Sequence, residues 1–198
     1  MDHGELTELL AHWHQDGRDG LDSILPAIYD ELQSLARHHL AGVDGTPTLQ
    51  PTLLVHEAYL RLAQATPQQF AGRRQFFAYA SRIIRHVLVD HIRARQSHKR
   101  GSGNLLGSDA LDGAMDNSGL SPEMILAVHG ALQRLETMDA RQAHIVEMKF
   151  FGGMRQAEIA EALGVSVPTV ERHWSAGRRR LAVLLKSSAA HGNTADAP

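Results

Sequence analysis

The stretch VHEAYL, residues 55–60, is one residue short of a zinc-binding motif. On a helix, the pattern His-Glu-x-x-His places two imidazoles one turn apart on a zinc ion, with the glutamate as general base. His56 and Glu57 supply the first half of the pattern, but Leu60 stands where the second histidine is needed. The sequence therefore argues against a metal-dependent hydrolase, and the neighbouring His56 and Glu57 need another explanation.

Other reactive constellations are also missing from the sequence. The chain has no cysteine, which excludes disulfides, thiolate metal sites and thiol nucleophiles. Its 13 histidines, including the adjacent His38 and His39, do not fall at the spacings of metal ligands. We therefore predict a binding protein rather than an enzyme, with no metal and no cofactor.

The bulk composition indicates a soluble helical protein. Of the 198 residues, 43% are hydrophobic and only 5% aromatic, which suits small helical units with aliphatic cores. No apolar run approaches the roughly 20 residues that span a bilayer, and the N-terminus lacks the pattern of a signal peptide. We expect a cytoplasmic location without membrane contact.

Charge is unevenly distributed although the net charge is only −2. Arg and Lys predominate in residues 82–100, where Asp90 is the single acid, and again in residues 172–186. Local basic faces on a near-neutral chain are suited to contact with phosphates. A pair of solvated helix faces is the alternative.

Apolar spacing predicts an all-α fold of two small helical domains joined by a flexible linker. Ile24, Ile28, Leu32 and Leu35 fall at the spacing of a first helix. Further helices are expected near 52–64, 75–96, 122–135 and 139–150, and the one near 122–135 starts at Ser121-Pro122. The predicted segments are an N-terminal extension (1–20), a first domain (21–100), a flexible acidic linker (101–121), a second domain (122–186) and a disordered tail (187–198).

The second domain contains the pattern of a helix-turn-helix, QAEIAEALGVSVPTVERHW. Ala160 is small where two helices cross, Gly164 suits a left-handed turn residue, and Ser166 can cap the second helix. The inward positions of that helix are Val170, Trp174, Gly177 and Leu181. The leading residues Val167, Thr169 and Glu171 are expected to enter the major groove, while Pro168, Arg172, Ser175 and Arg179 point outward and the trailing arginines meet phosphates.

The long helix near 75–96 divides into an apolar face and a basic stripe. Phe76, Ala80, Ile83, Ile84, Val87 and His91 share the apolar face, where His91 is expected to be a satisfied core histidine. Arg82, Arg85, His86, Val89 and Arg93 form the basic stripe on the opposite side. We expect this stripe to face solvent, with His86 exposed.

The helix near 52–64 divides in the same way. Leu54, Ala58 and Leu62 recur at four-residue spacing and face inward, whereas His56, Glu57, Leu60, Arg61 and Gln64 share the opposite face. An apolar residue within a charged rim is typical of a protein-docking surface. A solvated face with a Glu57–Arg61 pair is the alternative, and helix geometry alone does not decide between them.

Three ordered motifs resemble the extracytoplasmic-function (ECF) sigma factors of bacterial RNA polymerase, a sigma-70-like family. They are LLVHEAYLRL, QFFAYASRIIRHVLVDHIRAR and GGMRQAEIAEALGVSVPTVERHW, and the likeness covers residues 21–185 apart from the linker. The resemblance implies transcription initiation, with core RNA polymerase (its β′ and β subunits) and promoter DNA as partners. It leaves an anti-sigma factor and a Ser/Thr kinase open as controlling partners.

The resemblance also implies roles for individual residues. His56 and Glu57 match the family's β′-docking pair, with Leu60 and Arg61 beside them. His86, within the stripe of Arg82, Arg85 and Arg93, matches a contact to the minus-ten element, while Phe76 and Tyr79 match structural aromatics. Val167, Pro168 and Arg172 match positions that read the minus-thirty-five element, and the linker acids Asp109, Asp112 and Asp116 either imitate nucleic-acid charge or solubilise the linker.

Two departures from the family pattern stand out. Arg82 and Ile83 occupy the place of a tryptophan pair that melts DNA in primary sigma factors, so melting should depend on the loop around residues 68–74. The segment before the docking helix, LQPTLL, lacks the usual acidic run. We hypothesise that phosphorylation of Thr52, with Thr48 as a second candidate, restores this charge. The alternative is that Thr52 serves only as a helix N-cap.

A rival function remains from a different class. The stretch GVSVPTVERHW also resembles the DNA-binding end of response-regulator-type activators. Such a regulator needs a phosphoacceptor or ligand domain upstream, built from alternating strands and helices around an acidic pocket. The first domain has neither the strands nor the pocket in its sequence pattern.

Overall fold

Residues 3–40, 49–65, 70, 72–98 and 121–192 are described from a computed structural model of the chain. Within these ranges the chain forms seven α-helices and no strand, which confirms the predicted all-α class. The helices are α1 (His3–Leu40), α2 (Pro51–Gln64), α3 (Arg73–His98), α4 (Pro122–Met138), α5 (Ala140–Phe150), α6 (Gln156–Leu163) and α7 (Val167–Gly192). None of them is long and apolar enough to cross a membrane.

The first helix is longer than the sequence pattern predicts. It begins at His3, and Leu10 and Trp13 on it are fully buried. The indole of Trp13 stacks on Phe70 with ring centroids 5.6 Å apart and meets the edge of Phe76 at 5.9 Å. Residues 3–20, predicted as an extension, are therefore part of the packed helical unit.

Helices α1, α2 and α3 share one core, and their apolar faces are those that the spacing predicts. The inward face of α2 is formed by Leu54, Ala58 and Leu62, and each of these side chains is at most 1% exposed. Phe76, Ile84 and Val87 on α3 are fully buried against it. Burial of such aliphatic side chains contributes about 1.5–3 kcal/mol each, so this core holds the three helices in fixed register.

Helices α4 and α5 begin at capping side chains that the sequence already indicates. Ser121 Oγ accepts a hydrogen bond from the backbone N–H of Met124 at 3.2 Å, and Pro122 follows at the first helical position. Asp139 Oδ1 accepts from the N–H of Gln142 at 3.0 Å and starts α5. Each cap satisfies a backbone donor that the first turn leaves free.

Helices α6 and α7 are joined by a short turn at the position of the predicted helix-turn-helix. Gly164 ends α6 in the left-handed conformation, with φ of 63°, and the N–H of Val165 donates to the carbonyl of Ala160 at 3.0 Å. Arg155 stands at the N-cap of α6, where the Glu158 carboxylate accepts from its backbone N–H at 2.8 Å. Hydrogen bonds from Arg155 lower the pKa of Glu158, as expected for a carboxylate that binds the backbone N–H of the N-cap residue.

The last helix continues to Gly192 and includes residues 187–192 of the predicted tail. The predicted second-domain boundary at residue 186 consequently falls inside α7. The linker residues 101–120, with Asp109, Asp112 and Asp116, lie outside the described residues, as do 193–198. The two-domain division thus stays a prediction.

The two groups of helices, α1–α3 and α4–α7, pack against each other along α3. Ala78 of α3 is buried in a cluster with Ile145, Ile159 and Val170 of the second group. Ile125 of α4 is buried in the core of the first group. Helix α3 therefore has packed neighbours on both sides.

Candidate functional site

The outward face of α2 combines apolar and polar side chains. Leu53 and Leu60 lie seven residues apart and are 40% and 39% exposed, and His56 between them is exposed. Two helical turns place these three side chains on one side of the helix. Leu53 belongs to this surface but is not among the residues predicted for it. Its seven-residue spacing to Leu60 would have placed it on the same side of the helix.

Glu57 and Arg61 on the same helix are bound to α3 and not to each other. Glu57 Oε1 lies 2.8 Å from Nε2 of His91, and Arg61 Nη2 donates to Asp90 Oδ2 at 2.7 Å. The alternative of a Glu57–Arg61 pair is therefore wrong. His91 is satisfied by its partner, as expected, but it is half-buried at the edge of the core.

Thr52 lies in the first turn of α2 with an exposed side chain. The N-cap of this helix is Gln50, followed by Pro51, so the alternative that Thr52 is the N-cap is wrong. The first turn carries no acidic residue, and the N-cap makes no side-chain cap bond. The second phosphorylation candidate, Thr48, lies outside the described residues.

The basic stripe of α3 does not face solvent along its whole length. Arg93 is exposed, and Arg82 is partly exposed with its Nη2 donating to Glu136 Oε1 at 2.8 Å. Arg85 and Val89, in contrast, are only 3% and 1% exposed. The expectation that the stripe is solvent-facing is wrong for these two residues, because α4 and α5 pack over this part of α3.

The Arg85 guanidinium is held in a polar pocket between the two groups of helices. Its Nε donates to Glu147 Oε1 at 2.7 Å and its Nη1 donates to Nδ1 of His129. The guanidinium carbon lies 5.4 Å from the ring centroid of Phe151. A buried charge requires such compensation, and Glu147, itself 7% exposed, supplies it.

Histidines around this pocket are kept neutral by their surroundings. Burial, followed by the positive charge of Arg85, lowers the pKa of His129 to about 4. The same two causes lower the pKa of His86, whose ring meets that of His129 edge-on with centroids 5.5 Å apart. The sequence predicts an exposed His86, but its side chain is half-buried.

The start of α3 and its preceding loop are only partly described. Phe76 is buried as a core aromatic, while Tyr79 is half-buried against Phe70, with centroids 5.5 Å apart. Arg73 pairs with Glu31, and Arg74 with Glu161. Residues 68, 69 and 71 of the predicted melting loop lie outside the described residues.

The first turns of α7 form an exposed surface. Val167 is 37% exposed, Pro168, Glu171, Arg172 and Arg179 are exposed, and Thr169 is half-buried. Ser166 Oγ lies 2.9 Å from Thr169 Oγ1, which holds the turn against the helix. On the opposite side, Val170, Gly177 and Leu181 are buried, and Trp174 is half-buried against the same cores, which confirms the predicted division of this helix.

The chain has a counterpart among known families. A family model described as ECF sigma factor matches residues 3–187. The chain belongs to the ECF sigma factor family. No match was found among curated proteins.

Members of this non-enzymatic family bind core RNA polymerase and promoter DNA and are usually regulated by anti-sigma factors. In this ECF sigma factor the matched region includes all three helices of the first group, so the upstream half is not a receiver domain of the response-regulator type. Among the described residues, no three His, Asp or Glu side chains are grouped to hold a metal ion.

In this ECF sigma factor the acidic partners of the basic stripe could not be recognised from sequence spacing. Glu136 and Glu147 lie on α4 and α5, 54 and 62 residues from Arg82 and Arg85 in the chain. Pairings over such separations leave no local pattern. The one signal was Val89, an apolar residue within the stripe, which indicates that part of this face is covered.

Proposed function

We propose that this ECF sigma factor directs core RNA polymerase to promoters through three separate surfaces. The outward face of α2 docks on the β′ subunit, the basic stripe of α3 contacts the minus-ten element, and the leading end of α7 reads the minus-thirty-five element. The β subunit is a further contact of the bound factor. The observation that carries this proposal is the family match over residues 3–187, which includes all three surfaces.

The docking proposal rests on the composition of the α2 face. Leu53 and Leu60 supply an exposed apolar centre, and His56 and the partly exposed Glu57 and Arg61 supply a polar rim. Buried apolar anchors with a polar rim provide most of the energy at protein interfaces. Glu57 and Arg61 are oriented by their bonds to α3, which reduces the entropy they lose on docking.

The minus-thirty-five proposal rests on the exposure of the first turns of α7. Val167, Thr169 and Glu171 lie at the N-terminal end, from which a recognition helix contacts base edges. Arg172 and Arg179 follow one and three turns later and are suited to phosphate contacts. Pro168 in the first turn lacks a backbone N–H, which costs nothing there because that donor has no intrahelical partner.

The minus-ten proposal is supported by the character of the α3 stripe. Arg93 is exposed, and Arg82 needs only to release a surface pair with Glu136 before it can meet a phosphate. Surface ion pairs contribute at most about 1 kcal/mol, so this exchange costs little. Arg85 and His86 lie further in and need the helices above them to move.

We further propose that a Ser/Thr kinase controls docking by phosphorylating Thr52. The hydroxyl lies in an exposed first turn without acids, where the helix dipole favours negative charge. A phosphothreonine adds about −1.5 to −2 charge at neutral pH. This charge replaces the acidic run that related factors carry before the docking helix, and it steers a basic partner.

The Thr52 proposal is tested by titrating labelled sigma factor with core polymerase. We expect Thr52→Asp to bind more tightly than Thr52→Ala, because it supplies part of the missing charge. Thr137→Asp is the matched control, since Thr137 is also exposed but lies at the far end of α4. Equal affinities of the two Thr52 variants would eliminate the switch.

The function as a whole is tested by run-off transcription with purified core polymerase on promoters selected from a random library. We expect the sigma factor to confer defined start sites, with two conserved elements upstream. Substitution of Val167, at the groove end of α7, should weaken selection at the upstream element alone. If neither the wild type nor Thr52→Asp confers start-site choice on the polymerase, the proposed function is wrong.

A further inference from the structure

The second group of helices packs on α3 from its first turn to the middle of the basic stripe. Arg74 pairs with Glu161, and Gln75 Nε2 donates to the carbonyl of Ala162 at 3.0 Å. Ala78 is buried among residues of α5, α6 and α7. Further along α3, Arg82 pairs with Glu136 and Arg85 with Glu147. The two groups of helices therefore share an extended interface.

The centre of this interface is the buried ion pair between Arg85 and Glu147. The two side chains are 4% and 9% exposed. The donors of Arg85 are directed at Glu147 and His129, so its guanidinium cannot meet a DNA phosphate in this arrangement. The Glu147 carboxylate occupies the place that a phosphate oxygen would take.

We propose that the structure is a closed, self-inhibited state of the free sigma factor, in which α4 and α5 cover the minus-ten stripe and Glu147 acts as the latch on Arg85. This inference rests on the proposed role of the α3 stripe in promoter contact. Opening separates the helices of the second group from α3 and releases Arg85 and His86 together, because both contact His129.

The other two proposed surfaces remain accessible in the closed state. Leu60 of the α2 face and Val167 of the α7 face are exposed, and neither is covered by the interface along α3. The closed factor can therefore meet polymerase, or a double-stranded minus-thirty-five element, before it opens. Polymerase shifts the equilibrium only if it binds the open form better, for example by holding the two groups of helices apart.

If the Arg85–Glu147 ion pair holds the structure closed, the charge at position 147 should control the balance between the closed and open states. Removing one partner of a buried ion pair leaves an uncompensated charge, which strongly disfavours the closed state. Glu147→Gln keeps the shape of the side chain but removes the negative charge, and Glu147→Lys adds repulsion. The exchanged pair Arg85→Glu with Glu147→Lys restores opposite charges and should close the structure again.

Opening is measured by the distance between two labels. Because the chain has no cysteine, cysteines introduced at Asp30 and Val183 take up spin labels at two exposed positions, one on each group of helices. We expect one narrow distance distribution for the parent protein, a longer and broader one for Glu147→Lys, and return to the narrow one for the exchanged pair. Circular dichroism establishes that each variant keeps its helices.

Release of the stripe is measured by fluorescence anisotropy with a labelled 20-nucleotide single strand of random sequence and no polymerase. We expect Glu147→Gln to raise affinity at least about tenfold, because the binding-competent fraction rises. Glu136→Gln is the matched control: its pair with Arg82 is exposed, so affinity should change less than about twofold. Adding Arg85→Ala to Glu147→Gln should remove part of the gain.

Two outcomes would overturn the inference. One is an unchanged label distance in Glu147→Lys, which would mean that the ion pair does not hold the helices together. The other is a longer distance without any gain in DNA affinity, which would mean that the covered stripe does not bind DNA in the free factor. Neither outcome depends on transcription by the loaded polymerase, so a failure of the proposed function is recognised separately in the run-off assay.

Discussion

Nε2 of His91 lies 2.8 Å from Oε1 of Glu57, so one of the proposed docking residues is held by α3. Arg61 is held in the same way by Asp90. The two pairs link the docking helix to the helix that carries the basic stripe. His56 and Leu60 are thereby left as the docking residues that extend outward from α2.

This arrangement predicts that Leu60 is the most sensitive docking residue. Leu60→Asp should weaken binding to core polymerase at least about tenfold, because a charge replaces an apolar anchor at the centre of the surface. Thermal stability should change little, since Leu60 is 39% exposed. Titration of labelled sigma factor with core polymerase measures the affinity.

The control for Leu60 is Ala94→Asp, which adds the same charge at an exposed position of α3. It should leave polymerase affinity within about twofold of the parent value. Equal losses from both variants would contradict a docking surface centred on α2.

Two glycines in the second group of helices predict stability changes of opposite sign. A Cβ at Gly177 would lie 2.7 Å from Cγ2 of Val146, whereas a Cβ at Gly130 meets nothing within 4 Å. Gly177→Ala should therefore lower the free energy of unfolding by about 1–3 kcal/mol through overpacking. Gly130→Ala should raise it by about 0.5–1 kcal/mol, because alanine favours the helix.

Urea denaturation followed by circular dichroism measures both free energies of unfolding. The two variants are matched in chemistry, since each adds one methyl group within a helix. Stabilisation by Gly177→Ala would show that α5 and α7 do not approach each other as closely as the structure has them.

Much of this architecture follows from local sequence rules. The faces of α2 and α7, the caps at Ser121 and Asp139 and the left-handed Gly164 depend on residues within one or two turns of each other. The length of α1 was missed because Gly17, Gly20 and Pro26 interrupt its pattern, although Leu10 and Trp13 pack in the core. Tertiary burial outweighed helix propensity there.

The burial of part of the α3 stripe beneath α4 and α5 could not be predicted from local sequence rules, for a different reason. An amphipathic pattern assigns a charged stripe to solvent, because burying an unpaired charge is costly. Arg85 escapes this rule since Glu147, 62 residues away, compensates its charge. A single sequence holds no record of such a pairing. The proposed site residues were thus predicted individually, but not their accessibility.

Acidification should destabilise the protein through its buried histidines. Burial, then the nearby His38 and Arg85, lowers the pKa of His39 from 6.5 to about 3, and His129 is lowered to about 4. The unfolded chain therefore binds more protons than the folded chain below about pH 6.5. The free energy of unfolding is fully retained above that pH and falls as pH decreases toward 4.

The test compares the pH dependence of urea denaturation between variants. Each such histidine contributes a slope of at most about 1.4 kcal/mol per pH unit. His39→Phe can still stack on Phe151 but cannot titrate, so its slope between pH 6.5 and 4.5 should be smaller than that of the parent. Gln64→Phe, which introduces the same ring at an exposed position without removing a titratable group, should keep the parent slope. Identical slopes for all three proteins would rule out His39 as a contributor.

The outward residues of α7 should divide into phosphate contacts and base contacts. Arg179→Ala should reduce the slope of log affinity against log salt by about 0.9, because one fewer phosphate is neutralised on double-stranded DNA. The loss should be similar for all promoter sequences.

Val167→Ala should instead keep the salt slope and relax the sequence preference at the upstream element, because this side chain lies at the groove end of the helix. Both quantities are measured with the reconstituted polymerase on selected promoters over a range of salt. A sequence-dependent loss in Arg179→Ala, or a changed salt slope in Val167→Ala, would mean that α7 enters the groove in a different orientation from the one its exposed face indicates.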